Sequence, residues 1–245
     1  MGMFDRFRKK DEDPAKAEEL PKDEEQLEGG QAQVAEDEDE QEPPEKSAPK
    51  DRAKNGPYDE SEVEEDQQFI DLGSLRIPPR EGLGLRFEQE ETTGRLVAVA
   101  LDVDGSTLQL QAFAAPRSSG LWHTIRNQLG EQLELAGGEV DIVDGPFGQE
   151  LRAELPIVAG GDRRAVRFIG VDGPRWFLRA VLTGPALHDE ELAEVMDGVF
   201  RDVVVVRGRG PMPPGELLPI ALPQPLAEQV EQARAANQTP GSSSS

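Results

Sequence analysis

Apolar and polar residues alternate along the middle of this chain, and at two places the alternation gives way to a spacing of three and four. The period-two stretches predict strands at Leu83–Gln89, Arg95–Asp102 and Thr107–Ala115. In the last of these Leu108, Leu110 and Ala112 fall opposite Gln109, Gln111 and Phe113. Thr93-Gly94 and Asp104-Gly105 supply the turns, and Asp-Gly suits the left-handed backbone of a two-residue hairpin. Trp122, Ile125, Leu129 and Leu133 then recur on one helical face. Ser118 or Ser119 is the expected cap of that helix, and Gly137-Gly138 its end. Four further strands are expected at Glu139–Val143, Gln149–Val158, Arg163–Val171 and Arg175–Thr183. A second helix follows at Asp189–Phe200, with Leu192, Val195, Met196 and Val199 as its stripe and three acids at the positive end of its dipole. Val203–Val206 is apolar throughout, as a strand buried on both faces would be. The predicted order is βββα followed by ββββαβ. Consecutive hairpins imply an α+β fold, mainly an antiparallel sheet with two packing helices.

Charge sets the limits of this domain. Residues 11–66 hold 23 Asp and Glu against 6 Lys and Arg, and no aromatic lies between Phe7 and Tyr58. Such a stretch buries too little apolar surface to offset its ordering entropy. Residues 1–66 are therefore expected to be a disordered acidic arm with a short basic tip, residues 67–222 the domain, and residues 223–245 a short helix at Leu226–Ala236 with a flexible tail. The tip carries Phe4, Phe7, Arg6, Arg8, Lys9 and Lys10 without an apolar run behind it, so it reads as no signal peptide. It offers a membrane surface only weak peripheral contact. No run approaches the roughly 20 apolar residues of a membrane span. A chain of net charge −23 repels nucleic acid over most of its surface. The absence of cysteine excludes disulfides and thiolate chemistry and suits a cytoplasmic location.

Catalytic templates fit poorly. Asp102-Val103-Asp104-Gly105 resembles the start of a calcium loop, but Thr107 and Phe113 stand where glycine and glutamate are needed. Ser119 and His123 lie one helical turn apart, yet a serine before a helix is expected as a cap, and His188 sits at the other helix start. No glycine-rich loop opens a helix. The residues point to no catalytic group, no metal and no cofactor.

Two corners hold more interest. Phe113-Ala114-Ala115-Pro116-Arg117-Ser118-Ser119-Gly120-Leu121-Trp122 and Asp172-Gly173-Pro174-Arg175-Trp176 each bring an arginine near one of the two tryptophans. A guanidinium there can stack on indole or grip an anion; the bland alternative is a pair of core tryptophans beside solvated arginines. Arg163, Arg164, Arg167, Arg175 and Arg179 also crowd one hairpin. Whether Arg167 and Arg179 share a face depends on the register. If they do, the sheet presents a basic stripe that the acidic arm, spanning roughly 40 Å as a coil, can reach. The candidate contact residues are Arg117, Trp122, Arg167, Arg175, Trp176 and Arg179.

These same segments, with Gly56-Pro57-Tyr58-Asp59 and Asp71-Leu72-Gly73-Ser74-Leu75, resemble an uncharacterised actinobacterial family, a domain of unknown function, from about Gly56 to Leu222. The resemblance implies a bacterial cytoplasmic protein and brings no activity with it. The expected function is a non-enzymatic protein-binding or adaptor domain whose surface the acidic arm shields or tunes. The alternative is a small-molecule, lipid or anionic-ligand domain, enzymatic or not, with a pocket between sheet and helices where Arg117 and Arg175 clamp the ligand.

Overall fold

A computed structural model describes residues 43–223 except 65, 91 and 158–161. Residues 1–42, with the basic tip and most of the acidic arm, lie outside the described residues, as do the helix expected at Leu226–Ala236 and the tail. The described chain is α+β and mainly antiparallel. Its principal sheet has seven strands: β4 (Gly84–Gln89), β5 (Leu96–Val103), β6 (Ser106–Ala114), β7 (Glu139–Gly145), β8 (Gly148–Pro156), β9 (Arg163–Asp172) and β10 (Trp176–Thr183). Their spatial order is β4-β5-β6-β10-β9-β8-β7. Two meanders thus grow inward from opposite edges and meet along β6 and β10, paired antiparallel from Trp176↔Ala114 to Thr183↔Thr107. Helices α2 (Trp122–Leu135) and α3 (Glu190–Arg201) follow the first and second meander, in the expected order.

A smaller sheet is built by β1 (Tyr58–Asp59), β2 (Ile70–Asp71), β3 (Leu75–Ile77) and β11 (Val204–Val205), in the order β1-β11-β3-β2. Alternation divides the core between the two faces of the principal sheet. One face sets Leu108, Leu110, Ala112, Trp176, Leu178 and Ala180 against Met196, Val199 and Phe200 of α3 and the apolar residues of the small sheet. On the other, Phe168, Phe177 and Val181 meet Trp122 and Leu133 of α2. That helix lies over β7, β8 and β9.

Local chemistry explains most boundaries. Asp104 and Gly105 both take positive φ, 45° and 79°, in the β5–β6 turn. Asp189 caps α3 by accepting from the Leu192 amide. The expected serine cap of α2 is corrected: neither Ser118 nor Ser119 fills that place, and the Leu121 and Trp122 amides donate to Asp172, some 50 residues away. The lower part of the arm is also corrected. Pro43–Glu62, near neutral in charge, packs on the domain, with a short helix α1 (Arg52–Asn55), β1 paired parallel to β11, and a 3-10 turn at Glu60–Glu62. Partners supplied by the folded domain outweigh the segment's own poor hydrophobicity.

Gly170 shows how tightly α2 is seated. A β-carbon there would lie 2.1 Å from the Trp122 ring. Gly170→Ala is expected to destabilise the domain by about 1–3 kcal/mol through overpacking, seen as a melting temperature lowered by several degrees. Gly210→Ala, with nothing nearby to meet a β-carbon, should leave it unchanged.

Candidate functional site

The two corners singled out by sequence converge in space. Ala114 faces Trp176 across the β6–β10 seam, and the Ala115 amide donates to the Arg175 carbonyl at 3.0 Å. At the centre is Asp172, 2 % exposed. Its carboxylate accepts from the backbone N–H groups of Leu121 (2.8 Å), Trp122 (3.3 Å) and Ser47 (3.0 Å). Two of these donors are free amides at the positive end of a helix, the natural place for an anion. Burial raises the Asp172 pKa, and the three amides and nearby Lys46 oppose that rise without cancelling it.

Lys46 completes a strap. Its ammonium donates to the carbonyls of Pro116 (3.1 Å), Pro174 (2.8 Å) and Gly173, tying both corners together. Burial lowers its pKa, with Asp172 acting in the opposite sense. The backbone of the strap adds Gly120 N–H to Pro44 O and Asp172 N–H to Ser47 O, both at 2.8 Å. Gly120 is obligatory at this crossing, since a β-carbon would come within 2.5 Å of the Glu45 carbonyl. Further along, Asp59 accepts from the Trp176 indole N–H at 2.9 Å, and the Arg52 guanidinium lies 5.5 Å from the centre of that ring. Glu62 holds Arg52 through both carboxylate oxygens. This segment therefore contributes specific partners that its composition conceals.

The six candidate residues separate. Trp122 and Trp176 are both 0 % exposed and lie on opposite faces of the sheet. The interior at each is filled, so the pocket imagined between sheet and helices does not open there. Arg52, rather than Arg175, stacks on Trp176. The register places Arg179 opposite Gly170 and Arg167 opposite Leu182. Arg167 and Arg179 thus project from opposite faces, and the conditional basic stripe does not form. Arg167 is buried in an ion-pair triad with Glu150 (2.7 Å) and Asp197 (2.8 Å). Burial alone lowers its pKa, but the two carboxylates outweigh that and leave it above the ordinary value. Arg117 is exposed and Arg175 half-buried at the corner. His123 is in contact with Arg126 and Asn127, not Ser119.

Two clefts mark the surface. One of about 530 Å³ runs between β7–β9 and the start of α3, past Asp141, Arg152, Glu154 and His188. The other, about 420 Å³, lies between α1 and the end of α3, with Asp51, Tyr58 and Arg201 in its wall. Among the described residues no cluster of His, Asp and Glu could hold a metal, and no helix is long and apolar enough to cross a membrane.

Comparison with known proteins gives a family without an activity. The chain belongs to the DUF3710 family, described as a protein of unknown function, whose model matches residues 56–229. No curated protein matches the chain. Among solved structures it is similar to cyanobacterial PsbP (CyanoP) from Synechocystis sp. PCC 6803. The identity is 12 % and the TM-score 0.36, over 54 % of this chain and 87 % of that one.

Arg167→Ala would leave Glu150, 1 % exposed, as an uncompensated buried carboxylate. Urea unfolding should record a loss of about 3–5 kcal/mol. Asp172→Asn tests the hub by pH. An acid whose folded pKa is raised binds its proton more tightly folded than unfolded. Asp172 therefore weakens the fold as pH climbs from the ordinary 3.8 through the elevated value. The stability advantage of wild type over Asp172→Asn should shrink across that window and then level off, as followed by urea unfolding at successive pH values. A constant gap would contradict the assignment.

Proposed function

We propose that the domain is a non-enzymatic protein-binding or adaptor module of the bacterial cytoplasm, and that its partner docks at the corner bearing Arg117 and Arg175. The supporting observation is that neither guanidinium meets a carboxylate among the described residues, although the chain holds 49 acidic side chains against 26 basic ones. Six arginines of the described residues do have a carboxylate partner: Arg52 with Glu62, Arg76 with Asp71, Arg80 with Asp202, Arg86 with Asp102, Arg163 with Glu139, and Arg167 with Glu150 and Asp197.

The corner is also rigid. Lys46 holds the carbonyls of Pro116 and Pro174, the residues immediately before the two arginines, and Asp172 fixes the start of α2 behind them. A preformed pair of cations offers an acidic protein surface attraction and orientation at little ordering cost. The buried polar residues serve the fold: Asp172 accepts backbone amides, and Arg167 sits in a buried triad. That favours binding over catalysis.

The test is a crosslinking pull-down from native lysate with full-length wild type and an Arg117→Glu/Arg175→Glu variant. Wild type should yield a discrete crosslinked partner, and the variant should lose it by about tenfold or more, as expected for like charges brought together. No adduct with wild type, or an adduct indifferent to the double substitution, would overturn the reading. A circular dichroism melt of both proteins checks that these surface changes leave the fold intact.

A further inference from the structure

Among the described residues Arg179 has no counter-ion, in a place that calls for one. It projects from β10, a central strand, on the face that carries Phe177 and Val181. Its Nη2 donates to Gln111 Oε1, a neutral amide, while its Nε is buried with no hydrogen-bond partner. The guanidinium carbon lies 5.8 Å from the centre of the Phe113 ring. That ring is stacked on Phe177, and Phe177 on Trp122, at 5.8 and 5.9 Å between centroids. Burial lowers its pKa, and no acid offsets the effect.

The acids of the same face are already committed. Asp102 takes Arg86 through both oxygens and also accepts from Thr107, while Glu88 accepts from Gln109. The other strand arginines either have a carboxylate or, like Arg152 and Arg164, stand in water. A guanidinium drawn out of water without an anion is costly, and its planar fork matches a carboxylate in two parallel hydrogen bonds.

We infer that Arg179, with no carboxylate among the described residues and the Phe113 ring beside it, is a receptor for a carboxylate arriving at the β6–β10 face through the outer end of the guanidinium. Gln111 orients the fork: its own amide is held by the Val97 carbonyl at 3.0 Å, so its oxygen stays on Nη2 and the outer Nη1 end, which is not buried, is left for the ligand. The carboxylate can belong to a small acid or to an acidic side chain of a peptide. This site is distinct from the Arg117/Arg175 corner and stands or falls separately.

The experiment follows the arginine side-chain Nε–H resonances of ¹⁵N-labelled full-length protein during titration with sodium acetate, sodium chloride at matched ionic strength, and inorganic phosphate. A blocked glutamate-containing peptide and its glutamine counterpart extend the comparison. The Arg179 resonance should move saturably with acetate and with the glutamate peptide, and should ignore chloride and the glutamine peptide. Arg179→Lys, followed through the Gln111 side-chain amide resonances, should weaken acetate binding by about tenfold, because an ammonium has no fork. Saturation by acetate alone identifies a small-acid site; tighter saturation by the peptide identifies a side-chain site. Linear shifts equal to those of chloride, or saturation by phosphate and not acetate, would overturn the proposal. Gln111→Leu guards against a folding artefact in the lysine variant, since it keeps Arg179 but frees the fork and should also weaken binding.

Discussion

A carboxylate placed almost wholly out of water is tolerated only where donors surround it, and Asp172 meets that condition by drawing three separate parts of the chain to one point. The amides of Leu121 and Trp122 come from the start of α2, that of Ser47 from the strap, and Asp172 itself ends β9. Satisfying this one group sets where the helix begins, how it crosses the sheet and where the strap lies. With α2 so anchored, Trp122 falls on Gly170 and its indole N–H reaches the Gln149 carbonyl at 2.6 Å, which carries the helix over to β8. The crossover between the two meanders is therefore held at its origin by an electrostatic hub and along its length by packing.

The strands were legible because alternation is a local property, repeated on every strand that buries one face. The helices were legible for the same reason, through Trp122–Leu133 and Leu192–Val199. What escaped were features decided by residues far apart in sequence. A serine just before a helix is a sound expectation for a cap, yet a carboxylate some 50 residues later offers a charged acceptor to two amides at once. Pro43–Glu62 looks like solvated arm because composition averages over residues. Its order comes from a few individuals, Lys46, Arg52 and Asp59, each with a partner in the folded domain. The faces of Arg167 and Arg179 turned on the length of one hairpin loop, which no propensity specifies. The motifs carried by the family resemblance did mark a real constellation, although its visible role is to join the strap, the helix start and the hairpin.

Charge is distributed in this domain with unusual contrast. Arg167, buried, has two carboxylates, and Gly145 leaves room for one of them: a β-carbon there would sit 2.2 Å from Glu150. Arg52, over the Trp176 ring, is completed by Glu62, whereas among the described residues Arg201, over the Phe147 ring, and buried Arg126 have no carboxylate partner. Arg179 belongs with these last two, drawn into the sheet with an amide and a ring for company. In a chain so rich in acids, an unsatisfied cation is not explained by scarcity of partners.

The same reasoning separates structure from binding at the corner. Lys46, Asp172 and both tryptophans are used up by the fold, since each has its polar atoms matched or its surface buried. Function has to be sought in what is left over once those matches are made. Much is left over, exposed Arg152 and Arg164 among it; what sets Arg117 and Arg175 apart is the turn that Lys46 ties down, and what sets Arg179 apart is its place on the β6–β10 seam. All three are cations carried on backbone whose hydrogen bonds belong to the strap or the seam. The proposed attraction for negatively charged groups rests on positive ends held in place by the scaffold, in a chain whose net charge is −23.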